Sequence, residues 1–239
     1  ARQLDALQFY LPDDQLSRYA NGFLPYQMRA SRLMLRAGFY QSGGAWGFRD
    51  QLQDMLSLLY TQPERARAHL LLCASRQYVQ DDVQHWWHPG GAGVRTRISD
   101  DLLFLPYVTA RYVYVTADRD ILRAHAPFLR SGELSDAEHD RYETPEQTAE
   151  TAPLMEHCLR AIARVRYGEH GIPLMQGGDW NDGMDRVGGE SAWLGFFLIV
   201  VLREFAPLCE ESVRRELDAQ RIQLQSAMQA AWTGKWFLR

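Results

Sequence analysis

The sequence predicts an all-α fold. Three observations carry that prediction: apolar residues recur at three- and four-residue spacings along much of the 239 residues, helix-start signals precede those runs, and alternating strand patterns are scarce. In chain order, the first helices are expected over about 22–37 and 47–60. Thr61 as cap and Pro63 in the first turn open a third, over about 62–79, with Ala66, Leu70, Leu71, Cys73 and Ala74 on its apolar face. Ser99 followed by Asp100 and Asp101 reads as a cap and an acidic first turn, leading into Leu102, Leu103, Leu105, Val108 and Tyr112. Tyr112 to Val115 is β-branched and aromatic enough to leave a strand open there. Thr151 and Pro153 start a helix carrying Leu154, Cys158, Ile162 and Val165 on one stripe, and two more are expected at about 191–205 and 208–231. No linker or low-complexity tract divides the chain, so residues 1–239 read as one domain. Helix, loop, helix recurring at about 20 to 40 residues suits a toroid of helical hairpins. The polar, acidic stretch from Ser131 to Thr151 reads as a solvated surface loop.

Composition excludes several function classes. With 26 Lys and Arg against 30 Asp and Glu, the net charge of −4 lacks the cationic excess of a nucleic-acid binder. No window approaches the ~18 to 20 consecutive apolar residues of a membrane span, and no basic-then-apolar leader opens the sequence. Three widely spaced cysteines, Cys73, Cys158 and Cys209, make neither a disulfide framework nor a Cys-x-x-Cys site, which favours a reducing compartment. Seven scattered histidines include His85 and His88 beside Asp81 and Asp82, without a closed ligand set, so no metal is expected. Neither G-x-S-x-G nor a phosphate-binding G-x-x-x-x-G-K-[ST] loop occurs.

The chemistry concentrates in three glycine-rich loops that also carry Trp and charge, a combination that suits a ligand with an apolar face. In Gly177-Gly178-Asp179-Trp180-Asn181-Asp182-Gly183, an indole can stack on a sugar ring while carboxylates accept hydroxyl hydrogen bonds or protonate a glycosidic oxygen. The same string can also be a turn with local Asx bonds. Trp46-Gly47-Phe48-Arg49-Asp50-Gln51 runs into a helix, and Arg49 with Asp50 offers donors and acceptors for one sugar ring, or a helix-start ion pair. Trp86-Trp87-His88-Pro89 through Arg95-Thr96-Arg97 joins stacking surface to two cations, fit for a sugar or an oxyanion, or for a packed Trp pair with solvated arginines.

The strings FYQSGGAWGFRDQLQD (39–54), WWHP with GVRTRISDDLLFLPY (86–107) and GDWNDGMDRVGGESAWLGFFL (178–198) resemble glycoside hydrolase family 94. That family contains inverting β-glycoside phosphorylases and the phosphorylase-like region of cyclic β-1,2-glucan synthases. The first motif is closer in wording to the β-1,2-glucan members, because an Arg found before GFRD in cellobiose phosphorylases has no counterpart in Ser42-Gly43-Gly44-Ala45-Trp46. The resemblance implies an incomplete (α/α)6 barrel, with the phosphate-binding loops of its C-terminal part missing from the chain and weak or no activity in isolation.

The resemblance also implies roles. Asp182 matches the general acid, with partial burial and Asp179 expected to raise its pKa, and Trp180 flanks the donor sugar. Asp50 binds donor hydroxyls with help from Arg49, and Arg36 is the match to a phosphate-binding Arg. Trp46, Asp179, His88, Arg95 and Asp101 fall in matching motifs as cleft residues. Inorganic phosphate is a co-substrate and no cofactor is implied; the partners are a β-glucan oligosaccharide, the rest of a parent chain and, in a homodimer, a second copy. The implied location is the cytoplasm or the cytoplasmic side of the inner membrane. Other readings are an inverting hydrolase using Glu190 or Asp185 as base, or a noncatalytic glucan-binding module.

Overall fold

The computed structural model describes residues 6–30, 44–184 and 186–237. The N-terminal arm holds two short helices, α1 (Asp14–Arg18) and α2 (Leu24–Gln27), joined by a π-turn over Tyr19–Phe23. Asp13 caps α1 by accepting from the backbone N–H groups of Gln15 (2.7 Å) and Leu16 (3.0 Å). Of the helix expected over 22–37, the part beyond residue 30 lies outside the described residues.

Strand β1 (Trp46–Gly47) runs directly into α3 (Phe48–Leu56), whose buried face is Phe48, Arg49, Gln51, Leu52 and Met55. Helix α4 (Pro63–Ala74) begins on its proline as expected but ends five residues early. Beyond Ser75 the chain turns on Asp81, which takes a left-handed φ of 74°, and Gln77 pairs with Val83. Strands β2 (Gln84–Trp87) and β3 (Gly93–Thr96) then form an antiparallel hairpin, followed by a 3₁₀ turn over Asp101–Leu103 and α5 (Phe104–Thr116). Tyr112 to Val115 belongs to α5, where the residues around it bury Val108, Thr109, Tyr112 and Val113. After β4 (His125–Arg130), β5 (Asp140–Glu143) and β6 (Glu146–Pro153) come α6 (Leu154–Ala163), α7 (Ala192–Phe205) and α8 (Glu211–Ala230).

Helix α5 is the hub: it packs against α3, α4, α6 and α7, and α8 covers α7. Phe48, Leu52, Leu70, Leu103, Leu105, Val108, Leu198, Leu202 and Phe205 fill the space between them, all buried. Each such side chain contributes about 1.5–3 kcal/mol.

The all-α expectation, with its incomplete (α/α)6 barrel, is corrected by two antiparallel sheets. Helix makes up 49% of the structure, but strand makes up 18%, so the architecture is mixed. One sheet has the order β1-β2-β3-β5 and the other pairs β4 with β6. The physical reason is that both sheets are held by backbone ladders that leave little hydrophobic signature. In β6 only Thr148 and Ala152 are buried, and the apolar burial comes from Ala126, Phe128 and Leu129 on β4. The stretch expected to be a solvated loop over 131–151 thus supplies β5 and most of β6.

Candidate functional site

Three chain segments converge at the helix starts of α3, α5 and α7. At the first, Trp46 pairs across the sheet with Trp87 and Gly47 with Trp86, which fixes where α3 begins. A Cβ on Gly47 would collide with the Asp50 carboxylate, so glycine lets Asp50 fold back over the start of its own helix. Arg49, the second residue of α3, is buried.

At the second, β3 delivers Ser99, Asp100 and Asp101 to the entry of α5, all three buried. The third segment docks on the second through its backbone. Gly177 N–H donates to Arg97 O (2.9 Å), and both the N–H and the hydroxyl of Ser99 donate to Gly178 O (2.8 and 3.0 Å). Gly177 leaves no room for a side chain, since a Cβ would sit 3.1 Å from the Arg97 carbonyl carbon. Gly178 takes a φ of 137°, a conformation that disfavours other residues. Asp179 then ties the loop to α7: its Oδ2 accepts from Ser191 Oγ (2.6 Å) and its Oδ1 from Asn181 N–H (2.9 Å). Ser191 is itself the cap of α7, accepting from Leu194 N–H at 3.0 Å.

Arg49 joins all three segments. Its Nη1 donates to Asp100 Oδ1 (2.8 Å) and to the Asp179 carbonyl (3.0 Å), its Nη2 forms an ion pair with Asp182, and its Nε lies 3.7 Å from Asp101 Oδ1. The guanidinium also stands 5.0 Å from the centroid of the Trp180 ring. Burial works to lower its pKa, but Asp101, Asp100 and Asp182 together hold it above the ordinary arginine value. Burial and the neighbouring Asp101 push the Asp100 carboxyl well above the usual carboxylate range. Asp100 Oδ2 and Asp101 Oδ1 are buried with no hydrogen-bond partner among the described residues, a cost of about 1–3 kcal/mol for each such atom. His85 on β2 completes the cluster, with Nδ1 2.6 Å from Asp101 Oδ2. Its burial opposes protonation, but Asp101 outweighs that and raises its pKa.

One wall of the cluster is aromatic. Trp180 stacks on Trp193 (centroids 6.1 Å apart, planes 25° apart), and Phe104 and Phe197 close the group behind them. Both indoles keep an open face, Trp180 being 45% and Trp193 38% exposed. An open indole face beside carboxylates is what pyranose recognition needs.

The structure therefore brings together Arg49, Asp101, Asp179, Trp180 and Asp182, with Asp50 and Trp46 at the start of α3. The partial burial expected for Asp182 is corrected: its side chain, on the 3₁₀ turn over Asp182–Met184, is 57% exposed. Arg95 and His88 are placed elsewhere. Arg95 faces the opposite side of the hairpin, where it pairs with Asp82 and where Arg97, Arg164, Arg166, Gln176 and Gly177 help line a separate cavity of about 480 Å³. His88 packs edge-on against Trp86 and near Tyr142. Arg36 and Asp185 lie outside the described residues. Glu190, the other base considered for a hydrolase, accepts from the backbone N–H groups of His170 (3.0 Å) and Ile172 (3.2 Å) and pairs with His170 Nδ1 (2.7 Å), which occupies both its oxygens. Asp100, Ser191, Trp193 and the Asp101 contact of His85 were not singled out as site residues. Asp100 carried a signal as part of an acidic helix start, and Ser191 and Trp193 as members of the 178–198 string.

Among the described residues, no group of three or more His, Cys, Asp and Glu could hold a metal ion, and no helix is long and apolar enough to cross a membrane.

Residues 1–239 match the family described as the glycosyl hydrolase 94 superfamily, catalytic domain. The chain is similar to the cyclic beta-(1,2)-glucan synthase NdvB of Rhizobium meliloti, with 44% identity over 95% of this chain and 8% of that protein. It is 29% identical to the solabiose phosphorylase of Paenibacillus borealis over 80% of this chain and 24% of that enzyme. It is 25% identical to the N,N'-diacetylchitobiose phosphorylase of Vibrio proteolyticus over 83% of this chain and 26% of that enzyme. The chain thus spans less than a third of each of these relatives. With the family match running from end to end and the three converging segments carrying its motifs, the chain belongs to the glycosyl hydrolase 94 superfamily, in its catalytic domain.

Proposed function

We propose that this chain carries the acid and the donor-sugar side of an inverting phosphorylase acting on β-linked glucosides, with β-1,2-glucan as the substrate. The observation that carries this reading is Arg49, which gathers Asp100, Asp101, Trp180 and Asp182 from three segments into one partly open cluster. The relatives named as phosphorylases support the reaction type, and the 44% identity to a cyclic β-1,2-glucan synthase supports the linkage.

Asp182 is the proton donor. The glycosidic C1–O bond breaks, its oxygen takes the Asp182 proton, and a phosphate oxygen bonds to C1 from the opposite face, giving an α-glycosyl phosphate and a glucan shorter by one sugar. Phosphate is already a nucleophile, so the second carboxylate that a hydrolase needs to activate water is not required. Trp180 supplies a stacking face, while Arg49 and Asp50 supply hydroxyl contacts. Because Asp182 faces Arg49 directly, bound sugar has to open or share that pair for the carboxyl to carry a proton.

In the described cluster carboxylates outnumber the guanidinium, so phosphate requires further cations; Arg36 is one nominee. No organic cofactor or metal is part of the proposal, and the site is assigned to the cytoplasmic side. The test is phosphate-dependent release of α-glucose 1-phosphate from β-1,2-oligoglucan and from cellobiose. Release from the first and not the second supports the reading. Glucose release without phosphate selects a hydrolase, and sugar binding with no turnover in any form of the protein selects a binding module.

A further inference from the structure

His85 is the polar side chain of the cluster to which no role has yet been given. It sits in β2 at a bulge between Gln84 and Trp86, whose pairing with Arg95 and Val94 on β3 brackets it. Asp101, to which its Nδ1 is bonded at 2.6 Å, is 1% exposed, and its other oxygen lies 3.7 Å from Arg49 Nε. A carboxylate only accepts, so the proton of that bond sits on Nδ1. Nε2 has no partner among the described residues, although the ring is only 18% exposed. The ring is mostly covered, but Nε2 is not one of the buried unpartnered atoms, so it is open to solvent and can be reached by a bound molecule.

We propose that His85 is a ligand-contacting residue of the same site, its Nε2 hydrogen-bonding a hydroxyl of the sugar bound beside Asp182, with Asp101 as the positioning residue that holds both His85 and Arg49. This rests on the function proposed above. A neutral hydroxyl is the partner because the charged groups acting on the imidazole are Asp101, Arg49 and Asp182, two acids to one cation, which disfavours an anion there. A hydroxyl can give a hydrogen to neutral Nε2 or accept one from the protonated ring, so the contact survives either state.

The test uses protein labelled with ¹⁵N in histidine and in tryptophan indoles, titrated with the β-1,2-linked glucose disaccharide. At saturation the His85 Nε2 and Trp180 indole signals should both move, while Nδ1 stays protonated. Asp101→Asn should lower the pH at which the His85 signals titrate and shrink the Nε2 shift on adding the disaccharide, and a merely structural Asp101 would leave that second readout unmoved. In turnover, His85→Phe should cost about 3- to 10-fold in kcat/KM, the range of a lost hydrogen bond to a neutral hydroxyl, and His85→Gln should recover part of it. An unmoved His85 signal alongside a moving Trp180 signal overturns the assignment and leaves the proposed function standing. So does wild-type kcat/KM in His85→Phe when Asp182→Asn is inactive. A His85 shift with inorganic phosphate alone and none with the disaccharide also overturns it. If neither residue responds to the sugar, the proposed function fails and this inference with it.

Discussion

Arg49, at the start of α3, and Arg95, on an interior strand of the four-stranded sheet, are both buried arginines paired with aspartate, 6% and 1% exposed, yet they do opposite jobs. Arg95 is closed. Its Nε and Nη2 hold Asp82 in a bidentate pair at 2.7 Å each, Nη2 also reaches Gln80 Oε1 (3.1 Å), and Nη1 reaches Ser131 Oγ and Gly132 O (3.0 Å each). The plane lies over the Tyr78 ring at 3.9 Å. With its donors spent on the protein, Arg95 stitches the β2–β3 hairpin to the 131–132 turn. Arg49 is open. It faces three carboxylates, two of them with buried oxygens that lack a donor among the described residues, and its partner Asp182 stands mostly in solvent. Satisfaction of hydrogen bonds, and not burial or residue type, separates the structural arginine from the functional one.

That contrast can be broken by experiment. The largest effect is expected at Asp182: Asp182→Asn should cut phosphorolysis by about 10³-fold or more while leaving the circular dichroism spectrum unchanged, as suits an exposed proton donor. Substantial residual turnover would remove Asp182 from the mechanism. Next, Arg95→Ala should cost about 3–5 kcal/mol of unfolding free energy in urea titrations, because it strands Asp82 and the carbonyls around it. A stable Arg95→Ala variant with lost sugar binding would reverse the two assignments. Arg49→Lys keeps the charge but not the fork, and should lower kcat/KM by about 10- to 100-fold with a smaller change in stability.

The smallest test is the sharpest, since it asks for opposite signs. Asp82→Asn should lower the melting temperature. Asp100→Asn should raise it near neutral pH, by on the order of 1 kcal/mol or about 2–4 °C. The folded state raises the Asp100 pKa, so the folded protein holds that proton more tightly than the unfolded chain does. Stability from this group is present below the unfolded value near 3.8 and is lost as pH rises through the folded one. The gain in Asp100→Asn should therefore grow with pH and vanish near pH 3.5. Equal melting temperatures at all pH values would show that the Arg49 cluster carries no stored cost.

The amino-acid sequence by itself determined the apolar-periodic helices and the chemistry of the loops. Helices α3 to α8 arise from apolar runs, with a proline at the start of α4 and of α6 and the Ser191 cap on α7, and Asp179-Trp180-Asn181-Asp182 and Phe48-Arg49-Asp50 announce carbohydrate chemistry by residue type. These are local properties, set within a few turns of chain. Tertiary structure alone decided the two sheets, because β5 and β6 are stabilised by ladder partners far along the chain and bury few side chains of their own. It also decided which candidates meet. Arg95 and Arg49 look alike as motif residues, and His85 looked like one of a scattered set. Only folding, by giving every Arg95 donor an acceptor and leaving His85 Nε2 without a partner among the described residues, sorted them. Hydrogen-bond satisfaction depends on groups distant in sequence, and no local pattern encodes it.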